Sequence, residues 1–301
     1  MSVSELQREV RKSLREREAI LLAHYYQREE IQDIADFLGD SLALSIEAAK
    51  TDAAVIVFAG VHFMAESASI LSPDKTVLLP RLEAGCPLAD MITPQQLAKA
   101  RAENPGVPVV TYVNSSAEIK AMSDICCTSA NAVKVVNSLE AGKVLMVPDG
   151  NLARYTARFT KKEVIPWNGY CPVHHFLAAD QVKDVMKRHP GAKLAVHPEC
   201  TTEVIDLADF VGSTAGIIRY ARETGAKELI IGTEAGILHT LRKENPGKTF
   251  ILASDKLICE TMKSITLEDI LASLREMKHV VKVPDAVGAP ARKALSGMIK
   301  I

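Results

Sequence analysis

No apolar run in this 301-residue chain approaches the roughly 18 residues that cross a membrane. The N-terminus, Met1 to Glu18, is dense in Arg and Glu and holds no apolar stretch of the kind a signal peptide needs. Val3, Leu6, Val10 and Leu14 instead fall on one face of a helix. An excess of charge is also missing: 36 Lys and Arg stand against 37 Asp and Glu, a net −1, which excludes a polybasic nucleic-acid binder. Cysteine is sparse. Six residues are too few for a disulfide scaffold, and without an export signal the expected setting is the reducing cytoplasm. There a cysteine is a small core residue, a nucleophile or a metal ligand. No P-loop, GxGxxG, HExxH, GxSxG or CxxC occurs, so nucleotide-dependent chemistry, serine hydrolysis and zinc ribbons lack support.

What is present is alternation. Short Val/Ile/Leu runs (Ile20–Ala23, Val55–Phe58, Val109–Val113, Val144–Val147, Leu194–Val196 and Leu229–Ile231 among them) alternate with amphipathic helical patterns. Continuous apolar strands between helices indicate parallel sheets covered on both faces, so the class is α/β. The alternation also repeats. IADFLGDSLALSIEAA from Ile34, MSDICCTSANAVKVV from Met122 and LADFVGSTAGIIRYA from Leu207 share one order. A helix end is followed by a small residue and Asp, a short strand, a Ser/Thr-rich turn and a helix.

Ser41, Ser129 and Thr214 mark equivalent points, 88 and 85 residues apart. Seventeen residues before each, a strand is expected to end at His24, Tyr112 and His197; two residues further on lie Tyr26, Asn114 and Glu199. A loop with one cysteine follows each point, at Cys86, Cys171 and Cys259, with offsets of 45, 42 and 45 residues. The pattern predicts three homologous units, 1–92, 93–177 and 178–301, the last with a C-terminal tail.

Ligands of open α/β sheets sit beyond the carboxyl ends of the strands, where all these polar residues fall. If three such ends face one pseudo-threefold axis, three cysteines meet. Thiolates from three units suit zinc or an iron–sulfur centre, and three ligands leave one coordination position open for Lewis-acid catalysis. Ser41, Ser129, Ser213 and Thr214, at expected helix N-termini, suit carboxylate or phosphate. His24, Tyr26, Tyr112, His197 and Glu199 are candidate acids and bases, and His174, three residues after Cys171, is a further one. Cys126 and Cys127 read as core residues, His175 as peripheral, and Cys200 stays unassigned.

These residues sit in segments that together resemble the quinolinate synthase A family. The segments include Ala23-His24-Tyr25-Tyr26-Gln27, Gly39-Asp40-Ser41, Phe63-Met64-Ala65-Glu66, Tyr112-Val113-Asn114-Ser115, Thr128-Ser129-Ala130-Asn131, Cys171-Pro172-Val173-His174, His197-Pro198-Glu199-Cys200, Gly212-Ser213-Thr214 and Gly232-Thr233-Glu234. The resemblance implies a triangular arrangement of three α/β/α domains. It implies a [4Fe-4S] cluster held by Cys86, Cys171 and Cys259 with one open iron. The implied reaction joins iminoaspartate to dihydroxyacetone phosphate, with loss of phosphate and two waters, giving quinolinate for NAD biosynthesis. An L-aspartate oxidase or dehydrogenase would supply the iminoaspartate.

The same resemblance assigns proton-transfer roles to Tyr26 and Glu199 and catalytic positions to His24 and His174. It assigns substrate contacts to His24, Tyr26, Ser41, Tyr112, Asn114, Ser129, His197, Glu199, Ser213 and Thr214. Two positions depart from the family's pattern: it usually has Asn where Tyr25 stands and commonly Asp where His62 stands. Leu82–Cys86 and the tail Pro284–Ile301 are candidate covers for the site. The rival readings are an aconitase-type hydro-lyase and a non-catalytic protein holding structural zinc.

Overall fold

The computed structural model describes residues 1–301. The same order of eight elements occurs three times. The first set is α1 (Val3–Glu16), β1 (Ala19–His24), α2 (Glu29–Gln32), β2 (Phe37–Gly39), α3 (Ser41–Lys50), β3 (Val55–Ala59), α4 (His62–Leu71) and β4 (Thr76–Leu78). The second is α5 (Pro94–Glu103), β5 (Val109–Tyr112), α6 (Ala117–Ala121), β6 (Ile125–Cys127), α7 (Ala132–Ser138), β7 (Lys143–Val147), α8 (Gly150–Ala157) and β8 (Glu163–Pro166). A short α9 (Pro172–His175) precedes the third set: α10 (Ala179–Arg188), β9 (Lys193–Val196), α11 (Thr202–Ile205), β10 (Phe210–Val211), α12 (Thr214–Glu223), β11 (Glu228–Gly232), α13 (Ile237–Glu244) and β12 (Thr249–Leu252). The chain ends with α14 (Glu260–Lys263), α15 (Leu267–Glu276) and α16 (Asp285–Lys300).

Each set forms one four-stranded, all-parallel sheet, and the strand order is the same in all three: second, first, third, fourth. The α/β class and the three homologous units expected from the sequence are therefore present. The order reverses between the first and third strands, and this switch point is where an open sheet takes its ligand. The central strands carry the pattern that predicts burial on both faces; every residue of β3 and of β5 is buried.

One aspartate fixes each second strand to its neighbour. Asp36, Asp124 and Asp209 accept the N–H of Leu21, Val109 and Leu194 at 2.9, 2.8 and 2.8 Å. The backbone N–H of each aspartate returns a bond to the carbonyl of the same partner. This is the Asp of the sequence repeat.

Two elements differ from expectation. In α1, Leu6, Val10 and Leu14 are buried, but Val3 is 53% exposed because the first turn extends past the surface it packs on. The C-terminal tail is no cover: α16 is a full helix lying on α6, β6 and α4, and none of its residues lines the central cavity. Its neighbour α15 packs on α1.

Candidate active site

A cavity opens between the carboxyl ends of the three sheets. Each sheet sends residues from the end of its first strand: His24 and Tyr26 from β1, Tyr112 and Asn114 from β5, His197 and Glu199 from β9. Ser41, Ser129 and Thr214 line it beside α3, α7 and α12. Cys86, Cys171 and Cys259 line it from the loops after the fourth strands, and His174 joins them. Of the candidate ligands, acids, bases and substrate-binding residues, Ser213 alone stands outside the lining.

The turns that carry these residues are held from within and across units. After β1 the N–H of Tyr26 donates to Nδ1 of His24 at 3.1 Å. The Gln32 amide donates to the carbonyls of Tyr25 and Gln27 and also to that of Gly236, in the third unit. A Cβ at Gly236 would stand 2.7 Å from the backbone of Tyr26, so only glycine lets the two turns meet. After β9 the N–H of Glu199 lies 3.4 Å from Nδ1 of His197, where the Tyr26–His24 contact sits in the first unit, but this Nδ1 also faces the Glu199 carboxylate, to which it donates.

A buried chain of hydrogen bonds links the units around the cavity. Thr214 Oγ1 donates to Tyr26 Oη at 2.9 Å, and Tyr26 Oη lies 2.6 Å from Thr233 Oγ1. Thr233 Oγ1 meets His174 Nε2 at 2.8 Å, and His174 Nδ1 meets Glu199 Oε2 at 2.8 Å. The same carboxylate oxygen is 3.2 Å from His197 Nδ1, and His197 Nε2 is 3.1 Å from Ser129 Oγ. Four buried side-chain oxygens have no partner, and two of them, Glu199 Oε1 and Asn114 Oδ1, are on residues that line the cavity. Unpaired buried acceptors are costly in a folded chain, and in a cavity wall they mark where a ligand's donors go.

The electrostatics separate these groups. Burial alone raises the Glu199 carboxyl, but the charges of His197 and His174 and their hydrogen bonds outweigh it and hold it well below the usual carboxylate range. Burial, reinforced by His197, pushes His24 down to about 3, so its ring is neutral. Because Nδ1 accepts from Tyr26, the neutral ring carries its proton on Nε2. Burial drives the phenols of Tyr26 and Tyr112 up, and both stay protonated.

The helix N-termini differ in detail from the sequence expectation. Ser41 and Thr214 are the first helical residues, while the caps are Asp40, accepting from Ala43, and Ser213, accepting from Gly216. The Ser213 hydroxyl also bonds Asp40 at 3.2 Å, joining the starts of α3 and α12. Helix α7 begins three residues after Ser129 and has no side-chain cap.

The three cysteines share one local design. Burial raises each thiol, Cys86 to about 12, while the backbone N–H three residues later (Ala89, His174 or Met262) favours its thiolate. Carboxylates brace two of the loops: Asp149 accepts the N–H of Cys171, and Glu234 that of Cys259, both at 3.2 Å. In the first unit the corresponding position, two past the third strand, is Val61.

Thr233, Asp149 and Glu234 are site residues that the sequence reading passed over as individuals. Their shared signal is position, one or two residues past a third strand. Cys126 and Cys127 are fully buried in β6, and Cys200 is buried with its thiol 3.5 Å from the carbonyl of Gly232. His175 is off the cavity, stacked on Tyr170 and 3.0 Å from the Asn151 amide.

The donor set fits an iron–sulfur cluster. Cys171, His174 and Glu199 are the one trio of His, Cys or acidic side chains whose ligand atoms all lie within 4.8 Å of one another. At least one pair of the three thiols around the cavity therefore stands more than 4.8 Å apart. Tetrahedral thiolates on a single zinc lie about 3.8 Å apart, given Zn–S bonds of about 2.3 Å. Thiols around a wider space suit a larger inorganic core bound through Cys sulfur.

A family model described as quinolinate synthetase A protein matches residues 8–300. The chain belongs to the quinolinate synthetase A protein family. A quinolinate synthase of Geotalea uraniireducens (strain Rf4) is 61% identical over 301 residues, covering 100% of this chain and 99% of the relative. Quinolinate synthase 1 of Methanosarcina acetivorans is 54% identical over 285 residues, 95% of this chain and 94% of the relative. Tyr25 and His62, the two positions expected to depart from the family's pattern, lie off the cavity. Tyr25 is half-buried, with its N–H on Gly39, and His62 Nδ1 is 3.8 Å from Glu66 on the same helix.

Proposed function

We propose that this protein is a quinolinate synthase that joins iminoaspartate to dihydroxyacetone phosphate, releasing phosphate and two waters. The full-length match to that family carries the reading, and the single cavity shared by all three sheets supports it. Cys86, Cys171 and Cys259 would hold a [4Fe-4S] cluster. When bound, that cluster supplies a Lewis-acidic iron with an open position, able to make a substrate oxygen a better leaving group. The division into units 1–92, 93–177 and 178–301 belongs to the same reading and draws support from the one sheet found in each.

The chain's own residues divide the remaining work. Glu199 stays ionised, clamped through Oε2, and offers Oε1 as the base. Tyr26 stays protonated and donates, its phenol fixed between Thr214 and Thr233. The Thr233–His174–Glu199 line orients the carboxylate and carries proton movement between these two groups. Neutral His24 presents Nε2–H, and Asn114 presents an acceptor, to substrate polar atoms. Tyr112 and His197 add wall contacts, while Ser41, Ser129 and Thr214, at or before helix starts, hold carboxylate and phosphate.

The deciding experiment measures iron, acid-labile sulfide and quinolinate formation in anaerobically purified protein, with Cys86, Cys171 and Cys259 changed to Ala one at a time. Each single variant should lose the cluster and the product. One zinc per chain without sulfide, or a full cluster in any single variant, would overturn the assignment. Turnover of a lone hydroxy acid in place of the condensation would favour a hydro-lyase.

A further inference from the structure

The cavity proposed to take a polyanion has no Lys or Arg in its lining. One ammonium is nevertheless sealed behind its wall. Lys120, in α6, has no exposed surface. Both of its hydrogen bonds go to carbonyls rather than a carboxylate: Ser115 at 2.8 Å, in the loop after β5, and Phe63 at 3.2 Å, in the first turn of α4. The ammonium also lies 5.3 Å from the centre of the Phe63 ring. Burial pushes its pKa down, and the nearby Glu66 carboxylate opposes this.

A buried ammonium without a direct counter-ion is expensive, and an apolar side chain of similar volume would fill the space at lower cost. The contacts show what the charge does. Glu66 of α4 accepts the N–H of Ala117 at the start of α6 at 3.1 Å, and Lys120 of α6 likewise donates to α4, at the Phe63 carbonyl. Both contacts run from a donor in α6 to an acceptor in α4, and with the Lys120–Ser115 bond they fasten α4 of the first unit to the loop of the second. That loop carries Asn114, whose unpaired Oδ1 lies on a cavity-lining residue, and α4 carries Phe63 and Met64 of the same wall.

We propose that Lys120 is the positioning residue of Asn114: its ammonium clasps the loop after β5 to the first turn of α4 and so fixes the Asn114 amide in the cavity. The proposal rests on the functional reading above and adds to it a residue that does not touch substrate.

A double-mutant cycle on the cluster-loaded enzyme tests it, with Lys120→Met, Asn114→Ala and the pair, read as kcat/KM and as the Kd for quinolinate. Lys120→Met should lose about tenfold and Asn114→Ala about a hundredfold, and the double variant should stay within about threefold of Asn114→Ala alone. Multiplying losses would overturn the proposal and leave Lys120 a structural residue, as would Lys120→Met activity within about twofold of wild type. If the methionine variant does not fold, Lys120→Gln, which keeps a donor for one carbonyl, replaces it in the same cycle. Wild-type turnover reports separately on the function itself, so its failure is distinct from failure of the cycle.

Discussion

Thr233 shows how much of the site rests on side chains that never touch its cavity. Its hydroxyl is the only atom between the Tyr26 phenol and the His174 ring, 2.6 and 2.8 Å from them. Thr233→Val keeps the shape and removes that atom, leaving His174 Nε2 without a partner. We expect the cluster to be retained and kcat to fall about 10- to 100-fold with a smaller change in KM. Unchanged kcat would remove Thr233 from the proton path. His24 makes a pH prediction. Its folded pKa of about 3 lies below its ordinary 6.5, so the unfolded chain binds more protons between those values. The stability that neutral His24 permits is complete above 6.5 and is lost as pH falls toward 3. Between pH 7.5 and 5 the cluster-free protein should lose about 2 kcal/mol more than His24→Asn does. Equal pH slopes for the two proteins would refute this. The strand-end residues were legible in the sequence because their offsets repeat. Thr233, Asp149 and Glu234 were not, because their places in the first unit are Gly60 and Val61, and a repeat filled by different chemistry in each copy leaves no pattern.

At the scale of elements, the aspartate before each second strand does the same work three times. Its side chain and backbone both bind the start of the first strand, and a basic residue (Arg11, Arg101 or Lys193) pairs with it outside. Asp209→Ala leaves the N–H of Leu194 without its acceptor, and Leu194 is fully buried. The cost should be about 1–3 kcal/mol in thermal melting, with iron content unchanged. A loss below about 0.3 kcal/mol would mean water replaces the carboxylate freely. The strands named from the sequence lie within a residue of their expected places, since burial on both faces writes a continuous apolar run, whereas the exposed edge strand β8 wrote none. The helix starts were less so. Asp40 and Ser213 are the caps, while Ser41 and Thr214 are the first helical residues, because neighbouring small polar residues carry equal capping signals and only the backbone decides between them.

For the whole molecule, the most consequential packing lies where the repeat ends. Helix α16 lies on α6 and β6 of the second unit and on α4 of the first, so the last residues of the chain fasten the two elements that Lys120 also joins. From the sequence this tail reads as a flexible cover, because it lies beyond the third copy and the repeat offers no counterpart to place it. Leu295 is fully buried at this joint, and Arg292 adds a bond to the carbonyl of Ile70. Leu295→Ala removes three carbons from a packed space, a change that costs about 2–5 kcal/mol in a core that relaxes only partly. Thermal melting of the cluster-free variant should show a loss in that range. The loaded variant should also bind quinolinate more weakly, although residue 295 is absent from the cavity wall, because α4 and the Asn114 loop that leads into α6 carry part of that wall beside the joint. A stability loss below about 1 kcal/mol would show that α16 is an appendage. A full loss with unchanged quinolinate affinity would show instead that the joint and the site are mechanically separate.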